Sequence, residues 1–282
     1  MGHLDHASFG WLTPVLSYAM ACIGAALGLS CTVRALDTTG RSRRNWLITA
    51  ASAIGSGIWT MHFVAMLGFG VYGTDIRYNV PLTLVSLLGA MVVVGGGVFA
   101  VGYSRDRTRA LLLGGLTTGL GVASMHYLGM AALRLHGTVH YDPLRVVLSV
   151  VIAVIAATAA LWAALNIRSN RAVALASLVM GAAVSSMHYT GMLAVSVRVT
   201  PSADPLPGAT AMQFIFPLAV GLGSYLFLTS AFVALSPTAP ERAAYARAGR
   251  AEPAPGAPPA PEPAPTPWHT TRRPGTAPAG TR

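Results

Sequence analysis

Seven stretches of this chain, at about 11–33, 47–70, 80–102, 110–133, 146–165, 172–195 and 211–235, contain no Asp, Glu, Lys or Arg. Each comes close to the ~20 apolar residues that a helix needs to cross a bilayer, so each is read as a membrane-spanning helix. Composition agrees, since 53% of the 282 residues are hydrophobic and only 10% are charged, against roughly 25% in a soluble domain. The expected fold class is therefore all-α, a polytopic membrane bundle of seven transmembrane helices with the lipid bilayer as its main partner. The net charge of +10 sits in the loops and the C-terminal stretch, where attraction to anionic headgroups accounts for it without nucleic acid.

Orientation follows from arginine, because the chain has no lysine. Arg34, Arg41, Arg43, Arg44, Arg105, Arg107, Arg109, Arg168 and Arg171 flank the cytoplasmic ends implied by the positive-inside rule, and six more arginines follow the seventh span. The other side holds Arg77, Arg134, Arg145 and Arg198. The expectation is an inner-membrane protein with its N-terminus outside and its C-terminus in the cytoplasm. The leader "MGHLDHASFGW" has no positive n-region, so the first span reads as a retained helix rather than a signal peptide. Cys22 and Cys31 lie nine residues apart on that helix, about 13 Å, too far to bridge.

Internal repetition organises the spans. "TMHFVAM" at 60–66, "SMHYLGM" at 124–130 and "SMHYTGM" at 186–192 put His62, His126 and His188 at spacings of 64 and 62 residues, the length of two membrane helices with their connections. The bundle is thus expected to be three repeated helix pairs plus one helix. A glycine falls seven residues before each histidine, at Gly55, Gly119 and Gly181, and a hydroxyl two residues before, at Thr60, Ser124 and Ser186. Two helical turns put glycine and histidine on one face, and "GLTTG" at 115–119 adds a small-xxx-small pattern, so this face is expected to meet other helices. All three histidines belong to spans of one direction and lie near their C-terminal ends, in the outer half of the bilayer. They form a shared site if those helices are neighbours.

The side chains set the chemistry. His62 with Met66, His126 with Met130, and His188 with Met192 are i,i+4 pairs that project imidazole and thioether from one face. Soft thioethers with imidazoles, and no carboxylate in the spans, disfavour Mg, Ca or Mn and favour copper as cofactor, Cu(I) above all. Met61, Met125 and Met187 lie about 100° round the helix from their histidines, as a second ligand wall or as packing. An alternative to ligation is a hydrogen-bonded network of the histidines with Tyr127, Tyr189 and the Thr/Ser hydroxyls. His3, His6, His136, His140 and Asp142 form a weaker outer constellation suited to capturing an ion, and His269 is given no role.

The motifs "MHFVAM", "MHYLGM" and "MHYTGM" on alternate helices resemble the MHYT domain, a bacterial integral-membrane sensor family, over roughly residues 9–235. The resemblance implies copper held near the outer membrane face by Met61, His62, Met66, Met125, His126, Met130, Met187, His188 and Met192, and sensing of oxygen, carbon monoxide or nitric oxide. The first copy departs from the motif at Phe63 and Ala65. Many relatives fuse the domain to cyclic-di-GMP enzymes or histidine kinases. Here residues 236–282 are Pro/Ala-rich, with twelve of the nineteen prolines, and read as a disordered cytoplasmic tail. The expectation is a stand-alone sensor, not an enzyme, acting through a separate cytoplasmic or membrane signalling partner. A metal or small-molecule transporter, a haem-binding membrane protein and a non-metal structural or assembly factor are the alternatives.

Orientation is directly testable. A reporter fused after Arg282 should be active only when its enzyme works in the cytoplasm, and a C-terminal fusion active in the periplasm would reverse the topology and the depth of the site.

Overall fold

The computed structural model describes residues 4–5, 10–167, 169–237, 244 and 247. The expected tail, Arg168, His3, His6 and His269 therefore lie wholly or almost wholly outside the described residues. Seven helices are long and apolar enough to cross a membrane: α1 (Leu12–Leu36), α2 (Gly40–Leu67), α3 (Val80–Tyr103), α4 (Arg107–Ala131), α5 (Pro143–Asn166), α6 (Asn170–Leu193) and α7 (Phe216–Leu235), the last entered through a π-helical turn at Ala211–Ile215. The all-helical bundle of seven spans is thus present.

Four of the helices, α2, α4, α5 and α6, start earlier than their charge-free runs, most clearly α2 at Gly40, ahead of Arg41, Arg43 and Arg44. Arginine is a good helix former, and its long stem lets the charge reach the membrane surface while the backbone stays helical. Side-chain caps fix several starts. Asn79, Asp106, Asp142 and Ser169 accept hydrogen bonds from the backbone N–H groups of Leu82, Arg109, Arg145 and Ala172, satisfying donors that have no intrahelical partner. Pro81 and Pro143 occupy the first turns of α3 and α5, where a missing N–H does no harm.

At the opposite end, the apolar sequence continues past α2, α4 and α6 into short strands that periodicity did not reveal. β1 (Leu4–Asp5) pairs antiparallel with β2 (Gly70–Val71), β3 (Arg77–Tyr78) with β4 (Leu133–Arg134), and β5 (Gly137–Tyr141) with β6 (Val195–Val199). Each structural repeat is therefore strand, helix, helix, strand, closed by its own strand pair. A fourth tie holds the segment before α7, where Tyr78 and Ala209 exchange both backbone hydrogen bonds, at 2.8 and 3.1 Å.

The six helices of the three repeats close a ring in chain order, α1 returning to α6, while α7 packs outside against α1 and α2. Across the ring α2, α4 and α6 touch one another, as do α1, α3 and α5. Because α7 covers its outer side, α2 is the most enclosed span: 78% of its core window is buried, against 22% for α6.

Glycine sets the ring spacing. A Cβ on Gly55 would stand 2.8 Å from the Met91 Cα of α3, and one on Gly119 or Gly181 would strike Val154 of α5 or Cys22 of α1. The three repeat-equivalent glycines thus join the second helix of each repeat to the first helix of the next. Gly24 and Gly57 make the same backbone approach between α1 and α2, 2.7 Å from an added Cβ to the facing Cα. Cys22 and Cys31 are both free thiols.

These contacts predict a sharp contrast. Gly119→Ala should destabilise the protein by about 1–3 kcal/mol through overpacking, whereas Gly89→Ala, which meets nothing within 4 Å, should be neutral or slightly stabilising. Thermal midpoints in detergent measure both, and equal midpoints would contradict the ring packing.

Candidate metal centre

Each histidine lies five residues before the last residue of its helix, Leu67, Ala131 or Leu193, about 7.5 Å along the axis. Equal depth on three adjacent, parallel helices makes the side chains converge. Nδ1 of His62 is 3.0 Å from Nδ1 of His188 and 3.1 Å from Nδ1 of His126, and the third side of the triangle, His126 to His188, is 3.3 Å. The ring planes cross at 79–85°, with centroids 4.9–5.1 Å apart, and none of the three residues is more than 2% exposed. Among the described residues this is the one group of three or more His, Cys, Asp or Glu side chains arranged to hold a metal ion.

A triangle of three Nδ1 atoms has a parity problem. In a neutral imidazole each nitrogen is either a donor or an acceptor, so three mutual neighbours cannot all pair donor with acceptor. At least one side must bring like atoms to 3.0–3.3 Å in a site without water access. A central cation removes the conflict, because all three nitrogens then present lone pairs inward. The triangle's centre lies about 1.8 Å from each nitrogen, close to the 2.0–2.1 Å of a zinc–imidazole bond. Nε2 of His62 and of His126 are buried without a hydrogen-bond partner, so no second contact turns these rings away from the axis. The donor set fits a small cation that takes imidazole nitrogen.

Met66, Met130 and Met192, one turn nearer the helix ends, are buried to within 3% exposure, as are Met61, Met125 and Met187. The contacts that define the triangle come from the histidines alone. The aromatic residue after each histidine packs edge-on against it: Phe63 at 4.6 Å, Tyr127 at 4.8 Å and Tyr189 at 5.0 Å between centroids. The phenol is thus not needed for this contact, which explains how Phe63 serves in the first copy.

The hydroxyl network takes a different course from the one expected. Ser124 and Ser186 are exposed, and Ser186 donates to the Ala182 carbonyl of its own helix. Two residues are 200° round a helix, so a hydroxyl there points away from the histidine face. Thr60 is buried because α2 is enclosed. The Tyr127 hydroxyl pairs with Ser149 of α5 at 2.6 Å, and Ser149 in turn donates to the Val146 carbonyl. Ser149 was not singled out from the sequence, although Ser17, Ser86 and Ser149 recur near the starts of α1, α3 and α5, each donating to a carbonyl three residues back. Ser86 accepts from the Trp59 indole.

Among the described residues, His136, His140 and Asp142 do not gather into one metal-binding group. The Asp142 carboxylate caps α5 through the Arg145 N–H, and His140 is exposed on β5. His136 lines a separate polar cavity of about 540 Å³ with Thr74, Asp75 and Asp204.

Comparison with known proteins decides the family. Residues 55–115, 119–177 and 181–239 each match the family described as MHYT, bacterial signalling protein N-terminal repeat. The chain belongs to the MHYT family. Its three matched repeats begin at Gly55, Gly119 and Gly181, the glycines that join neighbouring repeats, so the family repeat is out of phase with the strand–helix–helix–strand unit. The chain is 42% identical over 196 residues to the bifunctional diguanylate cyclase/cyclic di-GMP phosphodiesterase MucR of Pseudomonas aeruginosa, covering 67% of this chain and 28% of MucR. It is 36% identical over 209 residues to the cyclic di-GMP phosphodiesterase NbdA of the same organism, covering 72% and 26%, and 32% identical over 206 residues to the signaling protein YkoW of Bacillus subtilis, covering 68% and 24%. The likeness spans about a quarter of each relative. No solved structure matches. The protein is a multi-pass membrane protein built on a signalling sensor domain.

Tyr127→Phe tests the outer half of this packing. It should lower stability by about 0.5–1.5 kcal/mol, the net worth of one hydrogen bond, because Ser149 keeps its carbonyl partner. A change in thermal midpoint matching loss of a whole core side chain would show that the tyrosine does more than brace α4 against α5.

Proposed function

We propose that this protein is a membrane sensor whose input site is a copper ion bound by His62, His126 and His188, with its state passed to a separate signalling partner. The observation that carries the reading is the buried triangle of three Nδ1 atoms, whose donor–acceptor frustration a cation relieves. Imidazoles with buried thioethers beside them, and no carboxylate in the site, match copper better than a hard cation. Met66, Met130 and Met192 share the histidine face and serve as softer ligands. Met61, Met125 and Met187 lie off that face and tune the surroundings. Copper bound here supplies a redox-active centre able to take a diatomic gas. The histidines orient it at one depth, and the surrounding helices exclude water.

Haem fits this geometry poorly, since a macrocycle cannot be threaded between nitrogens in hydrogen-bond contact. A transporter is also a poor fit. The three copies share one orientation, and the irregular helical turn, at Ala211–Ile215, belongs to the span outside the ring. The orientation with the site toward the outer face rests on the arginine distribution. The names of the relatives point to cyclic di-GMP turnover as the output pathway, which the partner would carry out.

Copper titration of purified variants tests the reading. His126→Ala or His188→Ala should lower copper stoichiometry or affinity more than Met130→Leu or Met192→Leu, and these more than Met125→Leu or Met187→Leu, since Leu preserves packing volume. Folded histidine variants that bind copper like the wild type would refute the site.

A further inference from the structure

We propose that Gly129 and Gly191 are seats for the imidazole of the preceding repeat, so that each motif's glycine positions its neighbour's histidine rather than its own; this rests on the histidine triangle being the ligand set. A Cβ on Gly129 would stand 2.6 Å from Nε2 and 3.1 Å from Cδ2 of His62, and 3.2 Å from Cζ of Phe63. A Cβ on Gly191 would stand 2.5 Å from Nε2, 3.1 Å from Cδ2 and 3.3 Å from Cε1 of His126. These are ring atoms, not backbone. By contrast, Gly55 and Gly119 face the main chains of α3 and α5 and set helix spacing.

The seat leaves the ring no slack. His62 has Gly129 against its distal nitrogen and two other imidazoles at 3.0 and 3.1 Å from its proximal one. A methyl at residue 129 would drive the ring toward the axis, where the other two already stand at contact distance. The triangle's centre lies slightly inside a normal metal–imidazole distance, so ion binding presses the rings outward, into the glycines. Substitution at the seat therefore opposes loading while removing no ligand atom.

The relation is cyclic: α4 seats the histidine of α2, and α6 seats that of α4. The third step returns from α6 to α2, where the corresponding residue is Ala65, the position at which the first motif departs from the other two. The three places in the triangle are thus unequal. Its longest side, 3.3 Å, joins His188 to His126.

A double-mutant cycle on metal-free protein tests the seat. Gly129→Ala should lower the thermal midpoint in the wild-type background and cost much less in a His62→Ala background, where the imidazole it strikes is gone and Phe63 Cζ at 3.2 Å is the tight neighbour left. In a Tyr127→Phe background, which alters its own motif, it should keep its full cost. If Gly129→Ala alone does not fold, the double variant with His62→Ala should restore folding. An equal cost in both backgrounds overturns the proposal.

A second arm uses copper. Gly129→Ala and Gly191→Ala should weaken copper binding by about 10–100-fold, the range for residues that orient ligands, while Ala65→Gly should retain it. Seat variants that bind copper like the wild type overturn the positioning role. Wild-type protein that binds no copper overturns the metal reading instead, and the metal-free cycle still decides the seat.

Discussion

Three imidazole nitrogens held within 3.3 Å of one another, far from water, are the constraint on which this structure turns. No choice of neutral tautomers satisfies all three pairs, so the arrangement makes chemical sense around a cation. A buried polar group without a partner costs about 1–3 kcal/mol, and the unpartnered Nε2 atoms of His62 and His126 must be offset by packing elsewhere. The close glycine approaches at Gly55, Gly119 and Gly57, and the enclosure of α2 by α7, supply tight van der Waals contact of the kind that holds membrane helices together.

Threefold repetition is how the chain brings the nitrogens to one point. A helix pair returned to the same membrane surface three times places equivalent residues at equal depth. The strand pairs at that surface and the Asn79 and Asp142 caps keep the repeats in register along the axis. α7 stands outside the symmetry and touches α1 and α2, linked to the latter by the Ser52–Tyr225 hydroxyl pair at 2.6 Å.

Much of this was legible in the sequence because the informative residues repeat. His62, His126 and His188 stand at matched positions in charge-free spans, and their burial on one face follows from helical spacing alone. The short strands were not legible, since two-residue segments such as Arg77–Tyr78 carry no periodicity of their own. The early start of α2 was hidden by counting arginine as a boundary. Ser124 and Ser186 were assigned to the histidine network on proximity in sequence, although two residues' rotation places them on the opposite face. Adjacency of α2, α4 and α6, and the choice of Nδ1 rather than Nε2 to face the axis, depend on tertiary packing, which no local pattern encodes. That Gly129 and Gly191 stand against the His62 and His126 rings became readable only in the structure.

The proposed site requires one ion shared by all three repeats. X-ray absorption spectroscopy at the copper edge, on protein loaded with one equivalent, reads the ligand shell directly. The expected spectrum shows scattering from three imidazole rings, with at most a weaker sulfur contribution. A shell made of sulfur with one imidazole or none would contradict it.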